Sequence, residues 1–325
     1  MPRTQIVRVA VLALASSFVV TSAARAQAWL PAKGEGSVSV LYQNIFVTDH
    51  MPSGEFVDLG HIYSHGLLAD LTYGLTNRVA LTLGVPVMVT KYKGDRPHPT
   101  VLDDGTWHSS WQDFRFALRY NVVQGPVAIT PFVGTVLPSN AYETYAHSAV
   151  GRRLRELQVG VSFAALLDGL VPGLFVQGRY ALGFSENVLD ISTDRSLADM
   201  EIGYFVTPEL RVFGLVGGYY QYEGIDLPVP PISAASVLTP EQLVNHDRIV
   251  KDRALNLGAG LSVALTDSID LYGSFIKTVA GRNGHAINRG VSAGVSWSFK
   301  RKGPEQTARG RERSLVRCLC QKSAS

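Results

Sequence analysis

From residue 37 to residue 299 the chain alternates, run after run, between apolar side chains and polar or small ones with a period of two. Successive side chains of an extended strand point to opposite faces, so each run predicts a strand with one apolar face. Tyr63, His65, Leu67, Ala69, Leu71 and Tyr73 oppose Ser64, Gly66, Leu68, Asp70 and Thr72. In the segment FRFALRY, Phe114, Phe116, Leu118 and Tyr120 share one face, while Arg115, Ala117 and Arg119 share the other. The pattern predicts about twelve strands, near 37–47, 60–73, 78–92, 110–120, 127–137, 154–166, 174–185, 195–206, 210–222, 251–265, 269–279 and 287–299. Such runs suit the roughly 9–11 residues that a tilted strand needs to cross a bilayer. They exceed the about five or six residues usual in soluble sheets.

Short connections at 74–77, 121–126, 167–173, 206–209 and 266–268 alternate with long ones at 48–59, 93–109, 138–153, 186–194, 223–250 and 280–286. This predicts an all-β fold: a single transmembrane antiparallel up-and-down β-barrel with short periplasmic turns and long extracellular loops. In hydrocarbon an open sheet edge would leave backbone groups unpaired, so the sheet is expected to close. The apolar faces then meet lipid and the charged faces meet a polar lumen. Tyr73, Tyr92, Trp111, Tyr120, Tyr204, Trp297 and Phe299 gather where strands end. Aromatic rings favour the headgroup zone, so these residues predict two girdles.

Residues 1–26 read as a signal peptide for the Sec pathway: Arg3 and Arg8, an apolar run from Val9 to Val20, then Ala24-Arg25-Ala26. Residues 27–299 would form the barrel, and 300–325 a basic, disordered tail without periodicity. The chain carries 30 basic and 27 acidic residues, but eight basic ones lie in the tail and three in the signal, leaving the barrel acidic. That sign argues against a nucleic-acid partner. The two cysteines, Cys318 and Cys320, are too close for an ordinary bridge and sit in no metal-binding spacing. The expected location is the outer membrane of a Gram-negative bacterium. Its lipid and lipopolysaccharide would be partners, and its assembly machinery would read the last aromatic, Phe299.

Several phrases carry a family likeness. They are YGLTNRVALTLGVPV at 73–87, the strand from Trp111 to Tyr120, and the strand end Val136-Leu137-Pro138-Ser139. Similar turn-and-strand units recur from Val206 to Val212 and from Leu265 to Leu271. Together they resemble the phenol-degradation meta-pathway transporter-like family of outer-membrane β-barrel proteins, over most of 36–299. Ser139-Asn140 stands where that family has Thr-Gly, and Gln112-Asp113 where it has Gly-Asp. The resemblance implies a channel for small hydrophobic or aromatic compounds.

Charged residues on inward parities are the candidate site: Asp70, Asp113, Arg115, Arg119, Glu156, Arg179, Asp199 and Glu201. Charges in a narrow lumen need partners or water. They are either a bracing ladder of ion pairs or a selectivity lining for a polar or anionic solute. Gly290-Val291-Ser292-Ala293-Gly294 matches a serine-hydrolase elbow, but it lies inside an alternating strand rather than at a strand-to-helix turn. His108-Ser109-Ser110 resembles the H-x-S pair that outer-membrane phospholipases present at a lipid-facing rim, without the Asn-Gly that follows it there. His61 and His65 share a strand face roughly 13 Å apart, too far for one ion, so no metal site and no cofactor are expected.

Thr239-Pro240-Glu241-Gln242 reads as a capped start for a short helix reaching about Ile249, after Pro228-Val229-Pro230-Pro231. That helix either folds into the mouth or stands exposed. With about ten residues between Gln27 and the first strand, no amino-terminal plug is expected. The expected function is passive passage of small molecules, not catalysis. A structural or surface-interaction barrel with a blocked lumen is the alternative, and a lipid-modifying enzyme is a further one.

Overall fold

The computed structural model describes residues 28–94, 103–144, 146–228 and 236–300. The expected signal peptide, residues 229–231 of the proline-rich stretch, and the tail beyond Lys300 with Cys318 and Cys320 lie outside them. The strands are β1 Gly36–His50, β2 Val57–Gly74, β3 Val79–Lys93, β4 His108–Trp111, β5 Phe114–Tyr120, β6 Val127–Leu137 and β7 Glu156–Leu166. They continue as β8 Leu174–Ser185, β9 Arg195–Phe205, β10 Leu210–Gln221, β11 Arg253–Ala264, β12 Ile269–Arg282 and β13 His285–Phe299. Sequential strands pair antiparallel, and β13 returns to β1 from Gly36↔Phe299 to His50↔His285, closing the sheet. β4 and β5 lie end to end on one edge of β3, against Val87–Thr90 and Val79–Gly84, and together make one stave. The fold is a closed barrel of twelve staves.

The strand expected at 110–120 is therefore broken. Between Trp111↔Val87 and Arg115↔Gly84 the register moves by one residue, beside Pro86, which has no N–H to offer. The extra residue resets the parity, so the rings of Trp111 and Phe114 meet at 6.5 Å although three positions separate them. A second difference is the turn after β12. The loop expected at 280–286 is only Asn283-Gly284, with Asn283 at φ 60°, a conformation Asn tolerates. Asn-Gly is itself a hairpin signal.

The outer face is apolar all round. Leu67, Leu118, Val133, Ile202 and Leu261 are each about half exposed, and Leu118 pairs across with Leu81 and Val133 on the same face. Soluble monomers rarely expose apolar patches beyond a few hundred Å². The opposite parity is buried: Thr130, Ser162, Gln177, Ser292 and Ser296 point inward.

The interior is less polar than the alternation implied. Ile45, Val47, Ile62, Tyr92, Ile276 and Ile287 form a buried cluster with Leu215, and Phe132, Ala181 and Leu197 form another with Tyr219. Tyr92 is thus no girdle residue; its parity on β3 is that of Met88 and Thr90, and it is 6% exposed. Tyr73, Tyr120, Tyr204, Trp297 and Phe299 lie at the short-turn end, and Trp111 near the long-loop end.

Both ends are partly filled by chain. At the short-turn end residues 28–35 reach from β1 across the mouth to the β5–β6 hairpin, three to four staves away. The Ala28 carbonyl accepts hydrogen bonds from Asn121 Nδ2 at 2.9 Å and Thr130 Oγ1 at 2.6 Å. Trp29 Nε1 donates to the Gly125 carbonyl at 2.8 Å. Contrary to the expectation of no amino-terminal plug, this strap lies across the mouth. At the other end, helix α1 (Pro240–Ile249) carries the expected Thr239–Gln242 capping box and folds inward. Ile249 is fully buried against Leu154 and Val188. The loop 138–155, with the short 3-10 helix Ala146–Ser148, also packs into the mouth, where Tyr142 and Val150 meet Met88.

Candidate functional site

Between strap and loops a cavity of about 410 Å³ remains, lined from Trp29 and Pro31 at one end to His147 and Asp247 at the other. Asp70, Asp113, Arg115, Arg119, Arg179 and Asp199 all line it. Most inward charges are paired across staves. Arg115 donates to Asp70 at 3.1 Å, reaching over β3 at Gly84, the cross-strand neighbour of both. A Cβ on Gly84 would stand 2.6 Å from Asp70 Oδ1 and 2.7 Å from Arg115 Nε, so a side chain there would make the bridge shift.

Glu156 is the most heavily engaged acid. It accepts from Arg195 Nε at 2.7 Å and Nη2 at 3.1 Å, from Arg152 at 3.2 Å, from Ser185 at 2.9 Å and from Gln158 at 2.6 Å. Bidentate guanidinium–carboxylate contact is the strong form of this interaction. Arg179 donates to Gln158, lies 4.6 Å over the Phe132 ring, and faces Asp199 directly across strands. Glu201 accepts from Gln177 at 2.9 Å and pairs with Arg211 at 3.6 Å. Arg119 donates to Thr72 at 3.4 Å. Asp113 accepts from the Tyr142 hydroxyl at 2.6 Å and from the Arg153 amide at 3.2 Å, so it anchors the inserted loop.

Three further charged residues near this network were missed from sequence: Arg152 lies in the loop expected at 138–153, and Arg195 and Asp252 sit at the very start of the strands expected at 195–206 and 251–265. Burial pushes the Asp252 carboxyl up to about 8, against the pull of Arg152 and Arg195. Burial likewise lowers the Arg152 guanidinium to about 9, aided by Arg195.

The histidines, scattered in sequence, meet in space. His50 and His285 are cross-strand partners with ring centroids 4.6 Å apart. His147 sits with Nε2 3.3 Å from His50 Nε2 and Nδ1 2.7 Å from His285 Nε2. Asp247 and His246 of α1 close the group, with Asp247 3.1 Å from His246, 3.6 Å from His147 and 3.7 Å from His285. Burial opposes ionisation of Asp247, yet His246, His285 and His147 hold its carboxyl well below the usual range. Burial also opposes charge on His246, but Asp247 raises its pKa.

His108 and Ser110 pair with Thr90 and Met88, both lumen-lining residues. Direct cross-strand neighbours share a face, so the H-x-S pair faces inward rather than toward the outer rim. His108 pairs with Asp104 at 3.2 Å and Asn140 donates to Ser110 at 3.1 Å. Ser292 is buried inside β13, with no elbow around it.

No protein-family model matches this chain, and no curated protein matches it in sequence. Among solved structures, an outer membrane channel from Pseudomonas putida F1 is similar over 85% of this chain and 99% of that one, with TM-score 0.66 and 15% identity. The NanC porin aligns over 81% of this chain and all of that one, with TM-score 0.47 and 12% identity. The CymD monoaromatic hydrocarbon channel covers 84% and 90%, with TM-score 0.40 and 9% identity. The first of these likenesses establishes a shared barrel fold.

Proposed function

We propose that the protein is an outer-membrane channel for passive passage of small molecules. The observation that carries this reading is the pairing of an apolar outer belt with a charged cavity running from the short-turn end to the long-loop mouth. The belt suits acyl chains. The cavity sets arginines (Arg115, Arg119, Arg179) beside apolar walls such as Phe132 and Ile45. Such a lining favours small solutes with an apolar body and an anionic or polar group, in keeping with the resemblance to meta-pathway transporters. In this reading residues 1–26 are the exported signal, 27–299 the barrel and 300–325 a periplasmic tail. Lipopolysaccharide and the assembly machinery are its envelope partners.

Conductance in a planar bilayer tests the proposal. The purified barrel should give discrete current steps, and Arg115→Ala with Arg179→Ala should shift ion preference toward cations. The strap and inserted loops favour one second reading, a barrel with a blocked lumen. Silence in the bilayer, from protein that is demonstrably folded, would establish it over the channel.

A further inference from the structure

We propose that the histidine cluster at the long-loop mouth binds one divalent transition-metal ion of the imidazole-preferring class, such as Zn²⁺. His50, His147 and His285 are its ligands, with Asp247 beside them. This inference is independent of transport.

The cluster is built by the barrel rather than by local sequence. In β1 the inward parity runs through Leu41, Gln43, Ile45 and Val47, and would turn His50 outward. The register shifts between Val47 and Asp49, leaving Thr48 unmatched, and the parity flips. On β13 the step from Phe46↔Arg289 to Val47↔Ile287 leaves Asn288 unmatched, which likewise turns Ile287 and His285 inward. Bulges commonly re-aim side chains in this way next to functional sites. The 3-10 helix then delivers His147 between them, its ring 4.5 Å from that of His50 and 4.7 Å from that of His285.

Distances fit an ion. One ligand atom from each of the three histidines lies within 4.8 Å of the other two. Zn–N bonds of about 2.0–2.1 Å put two tetrahedral ligands about 3.3 Å apart. His50 Nε2 and His147 Nε2 stand 3.3 Å apart. The 2.7 Å contact between His147 Nδ1 and His285 Nε2 must open slightly if both rings turn toward one ion.

Proton accounting points the same way. A neutral imidazole offers one donor and one acceptor. His50 Nδ1 is buried without a hydrogen-bond partner. His246 Nδ1 lies 2.7 Å from the Leu243 carbonyl, which can only accept, so the proton sits on Nδ1. His246 Nε2 then faces Asp247 Oδ1 at 3.1 Å, which orients the carboxylate beside the three histidines. A divalent cation would accept the lone pairs of several of these nitrogens at once. The floor is apolar: the Tyr92 ring lies 5.1 Å from His147 and belongs to the buried cluster of Ile45 and Ile287. An apolar shell of this kind tunes a metal site. A bound ion would tie two wall strands to the inserted loop and hold the mouth closed on that side.

The test uses the full chain, folded in detergent, stripped with a chelator and titrated with Co²⁺ for its visible ligand-field bands, then with Zn²⁺ for stoichiometry by elemental analysis. One ion per chain is expected. His147→Gln and His285→Gln should each abolish the bands, and Asp247→Asn should weaken binding by about 10- to 100-fold. His61→Gln, on the outer parity of β2, should leave binding unchanged. Affinity should fall on acidification, because ligands must shed protons. Heat-dependent gel mobility reports folding of each variant; if His147→Gln does not fold, His285→Gln and Asp247→Asn decide. A folded wild-type barrel that takes up no ion, or variants that bind like wild type, would overturn the site. A proton-only histidine network gives the first of these results.

Discussion

Placing arginine at successive outward positions of β5 measures directly whether that face meets hydrocarbon. The stave from Trp111 to Tyr120 contains one extra residue at its bulge. About 3.3 Å per residue at a tilt of about 40° therefore gives a height of roughly 20 Å. Phe116 lies four residues above Tyr120, about 10 Å from the short-turn girdle and close to the midplane. Leu118 lies about 5 Å in. Arginine should therefore destabilise by about 2–4 kcal/mol at Phe116, by less at Leu118, and by about 0–1 kcal/mol at Tyr120. Each value is read against alanine at the same site, which removes the loss of the native side chain. Reversible denaturant unfolding in phospholipid vesicles, followed by tryptophan fluorescence, supplies the numbers. Three equal costs, or a cost at Phe116 below that at Tyr120, would mean that the alternating face does not look at lipid. The membrane reading would fall with it.

Other outcomes follow from the interior. Gly84→Val should push Asp70 and Arg115 apart, altering ion selectivity in bilayer recordings much as Arg115→Ala does, while Gly169→Ala, whose Cβ meets nothing within 4 Å, should be silent. Glu156→Gln leaves Arg195 and Arg152 without their carboxylate and should destabilise by about 3–5 kcal/mol, as broken buried pairs do. Asp252 is held protonated to about pH 8 when folded, but would ionise near the ordinary carboxylate value when unfolded. The native state therefore binds the extra proton, and stability should fall as pH rises from about 4 to 8, then level off. Asp252→Asn should flatten that slope, measured by unfolding across pH 5–9. Trp29→Ala, which frees the strap from the Gly125 carbonyl, should raise single-channel conductance.

Much of the architecture was legible in the chain because the signal is local. Alternation over residues such as 63–73 and 79–89 specifies an extended backbone with one apolar face, whatever its neighbours. Thr239 with Gln242 announced a helix start through hydrogen bonds that close within four residues. Eight inward charges could be named by parity alone, from Asp70 to Glu201. What parity could not say was whom they would meet: Asp70 finds Arg115 across an intervening strand, and Glu156 finds Arg195 two strands away.

The sequence by itself determined strands of membrane-crossing length, the face each turns outward and a ring that has to close, since unpaired edges are intolerable in hydrocarbon. Tertiary structure decided what fills the ring. Single-residue bulges at Thr48, Asn288 and beside Pro86 reverse the inside–outside count, and nothing in a period of two announces them. The loop that enters the lumen at the long-loop end brings His147 to His50 and His285 across 97 and 138 residues of chain. Contacts of that span arise only once the wall has closed and offers a cavity to bury side chains in.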